Sequence, residues 1–293
     1  MKVIAVYHNK GGVGKTTTVL NLSAALALQG FRVLIVDLDS QANATYGAGL
    51  IKFNFDEEDD IKESNIYHLL AESNKYFIPE VARTGSFCSV PIDVVPAHID
   101  LTRHENQLRA KAASQIRLLD KLSKVSSIYD FVLIDCPPSR DLYAQIGLTS
   151  SDYLIIPSDL KPFANRGLIN VREFVDGIND FRAALNKPPI SILGVLPSKI
   201  LTNPAFVKNT LPRLENTVRE VYQFPLMNTR IFERISLSQC LNQETEIGDL
   251  RIPDPKSIFD YSTDSNAAGA STAADEFMQL SKEVLELINS QSR

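Results

Sequence analysis

The sequence predicts an α/β fold, a doubly wound and mostly parallel sheet flanked by helices on both faces. Three observations lead there. Short, β-branched apolar runs alternate with longer stretches of helical period. The first of these runs leads straight into a glycine-rich loop, and two later ones end in aspartate. Parallel strands buried on both faces read as continuous apolar runs, and their alternation with helices is the signature of a doubly wound sheet.

Val3-Ile4-Ala5-Val6-Tyr7 is the first strand, and Thr18 to Gln29 forms the first helix. Between them stands Lys10-Gly11-Gly12-Val13-Gly14-Lys15-Thr16-Thr17. A strand, a glycine-rich turn and a helix N-terminus make a P-loop. Glycines let backbone N–H groups close around phosphate oxygens, and the helix dipole adds partial positive charge. Lys15 is placed to reach β- and γ-phosphates, and the Thr16 hydroxyl to ligate Mg²⁺. The common pattern has glycine where this chain has Asn9.

Phe31 to Val36 is the second strand, ending in Asp37-Leu38-Asp39-Ser40-Gln41. Aspartates at the carboxyl end of a parallel strand face the crevice where such sheets bind ligands. Ile92 to Pro96 is a short strand, and Tyr129 to Ile134 a longer one that ends in Asp135. Tyr153 to Pro157 and Ile190 to Leu196 complete the strands, with helical patterns over Arg166 to Leu185 and Ala205 to Tyr222. The chain reads as one domain over residues 1–293. Residues 52–65 are expected to form an acidic, solvated loop around the five acids at 56–60, and residues 242–274 a long irregular loop.

The motifs resemble the ParA/MinD superfamily of P-loop ATPases, and the loop its deviant Walker A box. The resemblance extends over nearly the whole chain. It implies ATP and Mg²⁺ as ligands, with catalysis resting on Lys10, Lys15 and Asp39. Lys10 takes the place of the signature lysine, which crosses a dimer interface to the partner's phosphates. Gly11, Gly12, Val13, Gly14, Lys15, Thr16 and Thr17 would hold the nucleotide. Asp39 would orient the attacking water, Asp37 support the Mg²⁺ shell, and Asp135 hold Mg²⁺ as the Walker B carboxylate. Ser40 stands where the family usually has proline. Ile231-Phe232-Glu233 replaces the usual Ile-Pro-Arg near the base, so Pro197-Ser198-Lys199 becomes the candidate base-binding loop, with Pro197 and Lys199 as contacts.

Net charge is −5, which argues against a globally nucleic-acid-like surface. Lys199, Lys208, Arg213, Arg219, Arg230 and Arg234 nevertheless make the stretch from 199 to 234 net +3. In the resembled family, basic residues of this part line the DNA face of an ATP-bound dimer. Cys88, Cys136 and Cys240 are scattered, which disfavours a disulfide framework and the superfamily's iron–sulfur branch. The first residues already form a core strand, so no signal peptide is expected, nor the helix-turn-helix domain that precedes the loop in larger ParA proteins. No apolar run reaches the ~18 residues of a membrane span. The last helix carries Phe277, Leu280, Val284, Leu287 and Ile288 at helical spacing, opposite Asp275, Glu276, Glu283 and Glu286. That polarity suits core packing and would repel anionic lipid. The expected protein is a cytoplasmic, nucleoid-associated ATPase of ParA type. It would form an ATP-dependent homodimer, bind DNA without sequence preference and answer to a ParB-like adaptor on a cargo. A MinD-like membrane-associated ATPase and a P-loop metabolic ligase or synthase are the alternatives.

Overall fold

A computed structural model describes residues 1–51, 59–111, 113–247, 250–264 and 267–291. In chain order the elements begin β1 (Lys2–Val6), α1 (Lys15–Leu28), β2 (Val33–Asp37), α2 (Asn43–Gly47), α3 (Ile66–Ala71) and α4 (Ile78–Val81). Next come β3 (Arg83–Thr84), β4 (Asp93–Val95), α5 (Leu101–Ala110), α6 (Ser114–Ser123), β5 (Phe131–Asp135) and α7 (Leu142–Thr149). The chain continues with β6 (Tyr153–Ser158), α8 (Pro162–Ala184), β7 (Ser191–Pro197), α9 (Leu211–Asn216) and α10 (Ile235–Gln239). It closes with β8 (Glu244–Ile247), β9 (Leu250–Pro253), α11 (Ile258–Asp264) and α12 (Ala270–Gln291).

Seven strands form one sheet in the order β3-β4-β2-β5-β1-β6-β7, parallel except for the β3–β4 pair. Successive strand residues alternate between two cores, which is why the strands read as unbroken apolar runs. Val3, Ala5, Val132 and Ile134 face one core, and Ile4, Val6, Phe131 and Leu133 the other. Register brings the ends of three central strands level, with Val6 opposite Asp135 and Asp135 opposite Asp37. Both aspartates therefore arrive beside the loop that leaves β1.

Three expectations change. The helix read from 205 to 222 is divided into α9 flanked by π-helical turns at Phe206–Thr210 and Thr217–Val221. Pro212 has no N–H to give to the Lys208 carbonyl, so the α ladder cannot run through. The stretch 242–274 is not one irregular loop. Its polar sequence forms the β8–β9 hairpin, and α11 follows with Ile258 and Tyr261 buried. Within the acidic stretch 52–65, residues 52–58 lie outside the described residues. Asp59 is not simply solvated: its carboxylate meets His98 Nε2 at 2.8 Å and accepts the Ile61 N–H at 3.0 Å. His98 lies 39 positions away, and only folding brings it there.

The last helix packs as expected, with Phe277, Leu280, Val284 and Ile288 buried against α1. Gln29 Nε2 ties the two helices by donating to Ser281 Oγ at 2.7 Å. No helix among the described residues is long and apolar enough to cross a membrane.

Candidate functional site

The loop after β1 is built to leave donors free. Gly12 and Gly14 hold left-handed φ values of 74° and 91°, which a side chain would strain. Gly14 is the N-cap of α1 and supplies no capping side chain, and no acid stands in the first turn. The orphan N–H groups and positive end of that helix are thus available to an anion. His8 is fully buried and its Nδ1 accepts the Lys10 N–H at 2.9 Å, fixing the loop's entry. Burial, then the charge of Lys15, lowers the His8 pKa to about 4, so the ring is neutral at physiological pH.

Lys15 is only 7% exposed, and its Nζ donates to the Lys10 carbonyl at 3.3 Å. Burial lowers its pKa while Asp135 and Asp39 pull the other way. Thr16 Oγ1 donates to Asp135 Oδ2 at 2.7 Å. The second oxygen of Asp135 is buried and has no partner among the described residues. Burial and the neighbouring Asp37 push the Asp135 pKa well up. A hydroxyl, an orphaned carboxylate oxygen and an electrostatic deficit of positive charge form a donor set that fits Mg²⁺.

Asp37 is also fully buried, but its oxygens are engaged by the loop that follows it. Oδ1 accepts the Asp39 N–H at 3.0 Å; Oδ2 accepts the Thr45 N–H at 2.9 Å and the Thr45 hydroxyl at 2.7 Å. Burial raises its pKa to about 7 against those hydrogen bonds. Thr45 Oγ1 in turn accepts the Ala97 N–H at 2.9 Å. Asp37 therefore anchors the loop that presents Asp39, and Asp39 lines the cleft.

Lys10 stands at the rim. Within this chain its Nζ pairs with Asp159 Oδ2 at 2.8 Å and lies 5.9 Å over the Phe163 ring. Asp159 is a partner that sequence reading missed. The one cue was an acid between an apolar strand and a basic helix start, a pattern common in loops.

The cleft, of about 570 Å³, is lined by Gly11, Gly12 and residues 14–18, by Ser198 and Lys199, and by residues 231–234 with Leu237, Leu241 and Phe277. Pro197 ends β7 and is not among the lining residues; its carbonyl accepts the Ile231 N–H at 2.8 Å, joining the two walls. Ser198 Oγ donates to the Val13 carbonyl at 2.7 Å. The far wall hangs on the C-terminal helix. Glu283 accepts the N–H groups of Asn228 and Thr229 at 2.6 and 2.8 Å, and Glu276 accepts that of Phe232 at 3.1 Å. Two acids that read as a solvent face in sequence are staples for this wall.

The basic stretch does not form a single patch. Lys208, Arg213 and Arg219 are exposed on the helix around α9. Arg230 is bound by both oxygens of buried Glu215, at 2.6 and 2.9 Å, and Arg234 pairs with Glu276. Lys199 and Arg234 line the cleft. Counting charge along a window cannot see a partner such as Glu276, which lies 42 positions away.

A family model described as an AAA domain matches residues 1–188. The chromosome partitioning protein ParA of Myxococcus xanthus is 32% identical over 241 residues, 82% of this chain and 78% of that protein. Among solved structures, cobyrinic acid a,c-diamide synthase of Mycobacterium smegmatis with bound ADP and magnesium is similar at a TM-score of 0.69 and 26% identity. That match covers 82% of this chain and 92% of the synthase. An ATP complex of McdA from Cyanothece shares the fold at a TM-score of 0.75 and 20% identity, over 97% of this chain and 96% of McdA.

Proposed function

Because the chain belongs to the matched AAA domain family and to the ParA/MinD superfamily of P-loop ATPases, we propose that it is a Mg²⁺-dependent ATPase that positions cargo on DNA. One observation carries the reading: Lys15 and the Thr16–Asp135 pair sit at the uncapped start of α1, with a second lysine at the rim of the same loop.

In this reading, N–H groups of Gly11 to Thr17 and the Lys15 ammonium hold the β- and γ-phosphates. Thr16 and Asp135 hold Mg²⁺, which neutralises phosphate charge when bound, and Asp37 supports them from behind. Asp39 accepts a hydrogen bond from the attacking water and orients it. Lys10 leaves Asp159 and reaches the phosphates of a second protomer, adding a cation where charge develops. ATP binding thereby closes a homodimer, and hydrolysis reopens it. The dimer binds DNA without sequence preference through Lys208, Arg213 and Arg219. A ParB-like adaptor on the cargo stimulates hydrolysis, and the cytoplasmic protein is nucleoid-associated in its ATP state.

The test joins light scattering to a DNA shift. Mg·ATP should convert monomer to dimer, and only the dimer should retard an arbitrary duplex at low salt. A dimer that binds no duplex would remove the DNA step. A second reading, an ATP-dependent ligase or synthase, is supported by the likeness to the diamide synthase. It requires that hydrolysis depend on an organic acid acceptor, so steady turnover with ATP and water alone would discard it.

A further inference from the structure

We propose that His8 is a positioning residue for Lys10, holding its backbone so that the lysine side chain can cross to a second protomer. This rests on the ATPase reading and on the in-trans role of Lys10 within it. His8 stands between β1 and the glycine-rich loop, two residues before Lys10.

Among the described residues, the Lys10 backbone is held at each end by one side chain. Its N–H donates to His8 Nδ1 at 2.9 Å, and its carbonyl accepts from Lys15 Nζ at 3.3 Å. In the reading above, Lys15 turns its ammonium to the β- and γ-phosphates, which removes the second hold. His8 is then what keeps the Lys10 backbone in place, in the state that dimerises. The side chain can leave at little cost. Lys161 Nζ stands 3.9 Å from the Asp159 oxygen that Lys10 engages, so that carboxylate keeps a cation nearby when Lys10 departs.

The ring is wedged in place. It is fully buried, and a Cβ on Gly167 of α8 would approach its Cε1 to 2.9 Å and Asn9 Oδ1 to 2.7 Å. Glycine inside a helix is less stable than alanine, and here the close approach of the ring accounts for it. A neutral imidazole whose Nδ1 accepts carries its proton on Nε2. Lys15, Lys10 and Asp159 are the charged groups that face the ring from the loop and from the end of β6. A proton on Nδ1 would oppose the Lys10 N–H and add a further positive charge beside both lysines. What the geometry requires at position 8 is therefore a hydrogen-bond acceptor at the δ position of an immobile side chain, not a ring as such.

Two measurements separate this role from nucleotide capture. Affinity for a fluorescent ATP analogue, at protein concentrations far below dimerisation, reads the phosphate loop. Light scattering with Mg²⁺ and the non-hydrolysable β,γ-imido ATP reads the dimer. His8→Phe keeps a ring without an acceptor, and His8→Ala removes both. Each should raise the dimer Kd about 10-fold or more and leave analogue affinity within about 3-fold. His8→Asn discards the ring but carries an amide oxygen at the position of Nδ1, so it should restore dimerisation to within about 3-fold of wild type. If one of the first two variants does not fold, the other carries the test. A His8→Asn protein as weak as the His8→Phe one, or a His8→Phe or His8→Ala protein that dimerises like the wild type, would overturn the inference. So would parallel losses in both measurements, or failure of both His8→Phe and His8→Ala to fold, since either makes the role structural. A wild-type protein that binds the analogue but stays monomeric would instead overturn the in-trans reading of Lys10, and one that binds no nucleotide the ATPase reading itself.

Discussion

Replacing Lys208, Arg213 and Arg219 together by alanine should abolish most of the salt dependence of DNA binding. These three cations are exposed, whereas Arg230 and Arg234 are committed to Glu215 and Glu276. In the proposed face-to-face dimer both copies, about six cations, would meet the duplex. At ~0.9 counterions released per phosphate neutralised, log K should fall against log salt with a slope of about −5. Between 50 and 200 mM salt, affinity should therefore drop by about 10³. Fluorescence anisotropy of a labelled duplex of arbitrary sequence, with saturating Mg·ATP, measures that slope directly. The triple variant should bring it near zero. The useful control is the paired change Glu215→Gln with Arg230→Gln, because removing Arg230 alone would leave a buried carboxylate uncompensated. That pair should leave the slope within about one unit of wild type. A triple variant with an unaltered slope, or a control that loses as much, would refute the assignment of the exposed helix as the DNA face.

Lys15→Ala should lower ATP-analogue affinity by orders of magnitude, since the loop loses its buried phosphate cation; near-normal affinity would reject the site. Asp39→Ala should bind ATP and accumulate as a dimer in light scattering without turnover, and wild-type hydrolysis by this variant would give Asp39 another role. Asp135→Asn should make nucleotide affinity insensitive to EDTA, and a retained Mg²⁺ requirement would place the ion elsewhere. Thr45→Val removes a hydroxyl that donates to Asp37 and accepts from Ala97. It should cost about 2–4 kcal/mol in urea unfolding, with Thr45→Ser near neutral, because the valine leaves a buried N–H unpaired and a carboxylate short of a donor.

Local chemistry alone determined much of this protein. The spacing and residue types of the phosphate loop, the apolar strands and their terminal aspartates are legible because each depends on near neighbours. A glycine permits its φ, a strand's period sets its faces, and an aspartate after a buried strand must emerge at the sheet's end. The apolar stripe of the last helix is legible for the same reason. Tertiary structure decided what depends on partners distant in the chain. Arg230 and Arg234 read as a basic surface until Glu215 and Glu276 fold against them. Glu276 and Glu283 read as solvent-facing acids until the wall of the cleft is laid across α12. Asp59 reads as one of five solvated acids until His98 reaches it. The divide is physical: propensity and periodicity are short-range, whereas the neutralisation of a charge depends on whatever the fold places within a few ångströms. Such pairs leave no trace in the order of residues, and here they separate the arginines tied into the wall of the cleft from the cations left exposed around α9.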